Sequence, residues 1–340
     1  MPLTRVRTEC YAIDRYMEKL IIPRKLKSGD EIRIVAPAKS FQPTFTKEMR
    51  ESAKARLESF GLTVTFGRYV DENDEFNSTS VEHRLKDLHA AFLDKNVKAI
   101  LAVQGGAQSN QLLKCLDYKL IKKNPKILCG MSDITALASA IYTETGLMTY
   151  SGPGFTLFKN SKTVDYTADY FQKVLFSEDA VEIHPSTLFS NKRSDMTAES
   201  NEGYWIINKG EAHGKIVGGN LITFNMLQGS PFMPDISDAI LFFEDNDKES
   251  FRAFANHLQS VINQPNFHKV IGLVIGRFQK GSEMTQILLK KIIKAKKELS
   301  TIPVAANVDF GHTVPMITFP IGGQLTLKVG RRVLIEIDKH

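Results

Sequence analysis

Between residues 31 and 150, short apolar runs alternate with segments of helical spacing, and this alternation narrows the possible folds of the 340-residue chain more than any other feature. Glu31–Ala36, Leu62–Phe66, Lys98–Val103, Lys126–Met131 and Leu147–Tyr150 read as strands. Thr46–Phe60, Val81–Leu93, Ser109–Leu116 and Asp133–Thr145 read as helices between them. Short connections between unlike elements make βαβ units, whose strands lie parallel in one sheet with helices packed on its faces. The expected class is therefore α/β. Ligands of such open sheets gather outside the carboxyl ends of the strands, where Gly105-Gly106 and Ser132 both fall.

After Pro153-Gly154 the periodicity weakens, and residues 185–203 (PSTLFSNKRSDMTAESNEG) are polar and loop-like, as in an interdomain linker. Beyond them, Gly214–Val217, Ala239–Phe243, Val270–Ile275 and Pro303–Val308 read as strands, with Lys248–Val261 and Glu283–Leu299 as helices. Gln324–Val329 and Arg332–Ile337 flank Gly330-Arg331 as a hairpin. With about 100–200 residues expected per domain, the chain divides into an extension (1–16), an N-terminal domain (17–184), a linker (185–203) and a smaller mixed α/β domain (204–340).

A formal charge of +6 would point to an anionic partner if it were clustered on the folded body. Residues 1–28 hold seven Lys/Arg against three Asp/Glu; removing them from the totals of 44 and 38 leaves 37 basic and 35 acidic residues. The body is nearly neutral and carries no aromatic–basic RNA motif, so a nucleic-acid polymer is not the expected partner. Cys10, Cys115 and Cys129 are odd in number and lack CxxC spacing, which fits neither a disulfide framework nor a zinc site and agrees with a reducing cytoplasm. No apolar run approaches the roughly 20 residues needed to span a bilayer, and no signal peptide opens the chain. No membrane association is expected.

Three distant segments carry groups that could act together. A serine hydroxyl attacks a carbonyl only when an imidazole takes its proton and a carboxylate fixes the tautomer of that imidazole. Ser132, in Gly130-Met131-Ser132-Asp133, stands at a strand-to-helix turn; Glu244 ends an apolar strand; His312 lies in a loop restricted by Gly311 and Pro315. Each also has a plainer use. Ser132 or Asp133 can cap the following helix, Glu244 can be one of a solvated acidic cluster with Asp245, Asp247 and Glu249, and any one of eight histidines can be structural. Gly105-Gly106 would let the backbone approach a ligand, or would make a tight turn before a helix capped by Ser109. Trp205 could stack on a planar ligand or fill a core, and Gly218-Gly219-Asn220 could approach substrate or end a strand. Neither G-x-G-x-x-G nor a P-loop is present, and no histidine stands beside the acidic cluster, so no cofactor or metal is expected.

Taken together, the segments IRIVAP, Gly105-Gly106-Ala107-Gln108-Ser109-Asn110, Gly130-Met131-Ser132-Asp133, Gly218-Gly219-Asn220-Leu221, Leu241-Phe242-Phe243-Glu244-Asp245 and Gly311-His312 with Pro315 resemble the LD-carboxypeptidase family of serine peptidases. The form Gly-Gly-x-x-Ser-Asn is similar to that family's microcin C immunity branch. The resemblance implies a Rossmann-like N-terminal domain beside a smaller C-terminal one, with Ser132 as nucleophile, His312 as base and Glu244 as the acid that orients it. It implies an oxyanion hole from the N–H groups of Gly106 and Asp133. Gly105, Ser109, Asn110, Trp205 and Asn220 would then bind substrate. It further implies a cytoplasmic homodimer that needs no metal. Met316 departs from the family pattern, in which a polar Asn commonly follows the proline.

The function expected from this is hydrolysis of the amide-type bond between an aminoacyl or peptidyl group and a nucleotide. The alternatives are release of D-alanine from a murein tetrapeptide, a non-catalytic small-ligand module and, third, a metal-dependent hydrolase.

Overall fold

The structure is a computed structural model that describes residues 19–159, 164–191 and 198–340; the expected extension, residues 1–16, lies outside the described residues. The first half contains β1 (Glu31–Val35), α1 (Lys47–Glu58), β2 (Thr63–Phe66), α2 (Val81–Leu93), β3 (Val97–Ala102), α3 (Tyr118–Lys123), β4 (Ile127–Gly130), α4 (Ile134–Thr145) and β5 (Thr149–Ser151). Then come α5 (Val164–Phe176) and three short strands, β6 (Val181–Glu182), β7 (Leu188–Phe189) and β8 (Glu199–Ser200). The second half opens with β9 (Trp205–Asn208), β10 (Gly210–Asn220), α6 (Leu221–Asn225), β11 (Ala239–Glu244) and α7 (Phe251–Ile262). It continues through β12 (Gly272–Gly276), α8 (Gln286–Lys294), β13 (Val304–Val308), β14 (Phe319–Ile321), β15 (Gln324–Val329) and β16 (Val333–Lys339).

The helices start where short polar side chains relieve their unpaired N–H groups. Thr46, Ser80, Ser250 and Thr285 accept from Met49, His83, Ala253 and Leu288, which opens α1, α2, α7 and α8. The Thr285 cap trims the expected helix 283–299, which ends early and is followed by a separate 3₁₀ turn at Lys297–Leu299. Residues 109–115 also form a 3₁₀ helix, whose first residue, Ser109, gives both its N–H and its hydroxyl to Asp133. The weakly periodic segment after Gly154 contains α5, whose Val164, Ala168, Phe171 and Leu175 are buried at helical spacing.

The first sheet has the order β14-β5-β4-β3-β1-β2 and is parallel apart from β14. Its sequence order reverses between β1 and β3, so the loops after those strands diverge around a crevice. The second sheet runs β6-β16-β15-β10-β11-β12-β13-β9, with β10 to β13 parallel and the flanking strands antiparallel. The result is a mixed α/β fold with a parallel-sheet N-terminal region and a second domain.

The two sheets do not divide at one point of the chain. β14 leaves the C-terminal segment to pair with β5, and Pro320 is tolerated there because β14 is an edge strand. β6, from residues expected in the first domain, pairs with β16 of the second sheet. Within the expected linker, residues 185–203, the described parts carry β7 and β8, which pair with each other, and Ser190 and Val314 exchange two main-chain hydrogen bonds. One apolar cluster runs between the sheets, joining Leu101, Cys129 and Tyr150 to Ile240, Phe242 and Val274. Phe242 of β11 packs against Phe319 of β14 with ring centroids 4.8 Å apart.

Candidate active site

Ser132 emerges where the buried strand β4 turns into α4, and it holds φ at 59°, a left-handed conformation that is strained for a residue with a side chain. Hydrogen bonds from Ile134 N–H to Met131 O (3.2 Å) and from Thr135 N–H to Ser132 O (2.9 Å) close the turn. Neither Ser132 nor Asp133 gives α4 a side-chain cap. The Ser132 hydroxyl instead lies 3.0 Å from His312 Nε2.

His312 follows β13, and its loop is anchored on both flanks. Asp309 is fully buried, pairs with Arg277 through Oδ1 at 2.7 Å, and accepts from the N–H and hydroxyl of Ser186. On the other flank, the Ser190–Val314 pair fixes the chain. The His312 Nδ1 is 2.6 Å from Glu244 Oε2. A carboxylate can only accept, so Nδ1 carries the proton and Nε2 is left to accept from Ser132. Gly311 has φ of 107°, and a Cβ there would sit 2.8 Å from Glu244 Oε2; glycine is what lets the His312 loop close over the carboxylate.

Glu244 ends β11 opposite Asn220 of β10, and the Asn220 Nδ2 donates to Glu244 Oε1 at 3.2 Å. The Asn220 Oδ1 accepts from the N–H and hydroxyl of Thr223, which caps α6, while its main-chain N–H donates to the Thr135 hydroxyl of α4. Asn220 was expected to bind substrate. It is 3% exposed and holds Glu244 from behind, because β10 and β11 end in register.

The loop after β3 approaches Ser132 closely. A Cβ on Gly105 would lie 2.8 Å from the Ser132 Cβ, and one on Gly106 would lie 3.0 Å from both Ala38 Cβ and Lys39 N in the loop after β1. Among the described residues, no protein acceptor takes the main-chain N–H of Gly106 or of Asp133. The Asp133 carboxylate is buried and accepts through Oδ2 from Gln108 N–H (3.0 Å) and Ser109 N–H (2.8 Å). Burial pushes its pKa up, opposed by its hydrogen bonds with Ser109 and Gln108 and by the charge of Arg84. Ser109, expected to touch substrate or cap a helix, is fully buried and donates its hydroxyl to Asp133 O at 2.6 Å. Asn110 is exposed at the start of the 3₁₀ helix.

Trp205 forms no hydrogen bond with the triad. It lies half-buried on edge strand β9 and packs against the apolar cluster that includes Phe254, Leu258, Leu289 and Ile293 of α7 and α8, with its indole N–H given to Glu202 at 2.6 Å. β9 pairs with β13 at Ala306, and the indole is half-buried against that cluster, not enclosed by it. The side chain of Met316 is apolar and 1% exposed, packing with Met131, Leu157 and Val314, while its main-chain N–H donates to the Thr167 hydroxyl at 3.0 Å.

Sequence reasoning missed three supports of the centre. Thr135 ties α4 to β10, Asp309 ties the His312 loop to residue 186, and Asp245 lies buried beside Glu244. Burial, and then the charge of Glu244, push the Asp245 carboxyl up to about 8. His257 Nδ1 of α7 stands 3.5 Å from its Oδ2. Nothing in the acidic run 244–249 separates these carboxylates by type; strand register does, by placing Glu244 opposite Asn220. No group of three or more His, Cys, Asp or Glu that could hold a metal ion occurs among the described residues.

Comparison with known proteins agrees with this architecture. Residues 32–152 match the LD-carboxypeptidase N-terminal domain and residues 213–327 match the LD-carboxypeptidase C-terminal domain. The chain is 48% identical to the Bacillus subtilis protein named "Putative carboxypeptidase YocD", over 93% of this chain and 99% of the relative. The crystal structure of an MccF-like protein from Bacillus anthracis superposes with a TM-score of 0.92 at 46% identity, covering 94% of this chain and 100% of that one. The microcin C7 self-immunity protein MccF of Escherichia coli is 29% identical over 80% of this chain and 83% of its own length. A structure of MccF in complex with glutamyl sulfamoyl guanosine gives a TM-score of 0.82 at 26% identity, covering 94% of this chain and 98% of that one. With both family domains matched in order and more than half of the chain covered, this protein belongs to the LD-carboxypeptidase family.

Proposed function

We propose that the protein is a serine hydrolase that cleaves the amide-type bond between an aminoacyl or peptidyl group and a nucleotide, with Ser132, His312 and Glu244 as its triad. One observation carries the chemistry: an unbroken path from the Ser132 hydroxyl through both nitrogens of His312 to Glu244, at 3.0 and 2.6 Å. As the Ser132 oxygen bonds to the substrate carbonyl carbon, its proton passes to His312 Nε2, and the positive imidazole is stabilised by Glu244. The carbonyl oxygen becomes an oxyanion that accepts from the N–H groups of Gly106 and Asp133, beside the positive end of α4. The His312 Nε2 proton then goes to the leaving nitrogen, the carbon–nitrogen bond breaks, and the acyl group stays on Ser132. Water, deprotonated by His312, releases the acid and restores the hydroxyl.

The choice of an aminoacyl-nucleotide substrate is supported by the likeness to MccF, whose structures contain glutamyl sulfamoyl guanosine and aspartyl sulfamoyl adenosine. Trp205, half-buried on edge strand β9, is the residue proposed to stack on the base. The second reading is removal of D-alanine from a murein LD-tetrapeptide, favoured by the family to which both domains belong. The working unit proposed is a cytoplasmic homodimer.

The test is hydrolysis of aspartyl and glutamyl sulfamoyl nucleosides beside an LD-tetrapeptide. Release of the amino acid from the nucleoside, with little action on the tetrapeptide, is the expected result; the reverse preference selects the second reading. Ser132→Ala should lower kcat by about a thousandfold or more, and Glu244→Gln by less. A Ser132→Ala protein as active as the wild type would remove Ser132 from the mechanism. Binding of these compounds without turnover or fluorophosphonate labelling would mark a ligand-binding module.

A further inference from the structure

Asp133 occupies the N-cap position of α4 yet caps none of that helix's N–H groups. Its carboxylate reaches back across the site, and Oδ2 accepts from two consecutive N–H groups, those of Gln108 and Ser109. The Ser109 hydroxyl returns a bond to the Asp133 carbonyl, so the two segments are joined three times. On the far side stands Arg84 of α2, which is 3% exposed and donates to Gln108 O at 2.9 Å, to Pro37 O at 3.3 Å and to Gln111 Oε1 at 2.6 Å. Gln108 therefore has its N–H on a buried anion and its carbonyl on a buried cation.

Gly106 lies two residues before this clamp, and Gly105 lies against Ser132. The residue whose own N–H is one oxyanion donor thus grips the loop that presents the other. We propose that the Asp133 carboxylate is a positioning group that sets the spacing of the oxyanion hole, with Arg84 holding the opposite side of the same peptide. This rests on the function proposed above and deepens it. The physical reason is that oxyanion donors act only when they are already aimed at the oxygen as charge develops; a loop free to drift keeps its contacts with substrate but loses those specific to the transition state. A lone carboxylate buried at a helix start would gain more from capping its own helix, and the actual direction of its bonds shows which segment it serves.

Asp133→Asn tests this, since the amide keeps the size of the carboxylate but lacks the charge with which one oxygen holds two N–H groups. The expected result is a fall in kcat of about a hundredfold with KM changed less than threefold, as when one oxyanion donor is lost. A transition-state-like boronate should weaken in parallel with kcat/KM, while product affinity stays within threefold. Ser109→Ala, which removes one bond and leaves the carboxylate in place, should show the same split with a smaller fall, and it serves in its place if Asp133→Asn does not fold. A merely structural role predicts instead that kcat, KM and product affinity worsen together with the melting temperature. That pattern, or a folded Asp133→Asn with wild-type kcat, overturns the proposal. Failure of the functional reading looks different, because the wild-type protein would then turn over neither substrate class.

Discussion

Asp245 is a buried carboxyl beside the triad whose chemistry differs from that of its exposed form. It is 2% exposed, next in sequence to Glu244, and burial and then the charge of that neighbour push its pKa up to about 8 against an ordinary value of about 4. The folded chain therefore holds a proton that the unfolded chain gives up between about pH 4 and pH 8, and the stability this site contributes is complete below pH 4 and lost as the pH rises through that window. Asp245→Asn mimics the protonated form. Urea titrations should find the variant and the wild type equal near pH 4, with the variant gaining on the wild type up to about pH 8 and by a constant amount above it. A difference that does not change with pH would mean that Asp245 is ionised in the folded protein.

At the scale of elements, the site is a meeting of strand ends. β4 and β3 bring Ser132 and Gly105-Gly106, while β11, β10 and β13 bring Glu244, Asn220 and His312. What keeps the two sets facing each other is packing between sheets. Phe319 of β14 touches Phe242 of β11 and Phe310 beside the His312 loop, with centroids 4.8 and 5.3 Å apart and the third pair at 5.4 Å. Phe319 is 1% exposed, so Phe319→Ala should cost about 3–5 kcal/mol of unfolding free energy in a denaturant titration. It should also lower activity, since β14 is the only strand of the C-terminal segment in the first sheet among the described residues. A loss below about 1 kcal/mol would mean that this trio is not what couples the sheets.

For the whole molecule, no helix among the described residues is long and apolar enough to cross a membrane. The proposed homodimer is a matter of mass: light scattering should return twice the 38.1 kDa of the chain, and a mass of one chain at working concentrations would refute it. Most strands and helices were legible in the sequence, because period and capping are local: Val81–Leu93 is a helix with the bounds its pattern predicts, and Ser80 caps it. Strand-end positions were equally legible, which is why Ser132, Glu244 and His312 could be singled out one by one. What the sequence by itself determined was thus the alternating α/β order and the kind of chemistry available at its loops. Only the tertiary contacts settle that Ser132 and His312, 180 residues apart, share a hydrogen bond, that Asn220 faces Glu244, and that Trp205 packs half-buried against the helices of the second sheet. Those outcomes depend on sheet order and on the register between strands, which arise from contacts distant in the chain and leave no mark in local periodicity.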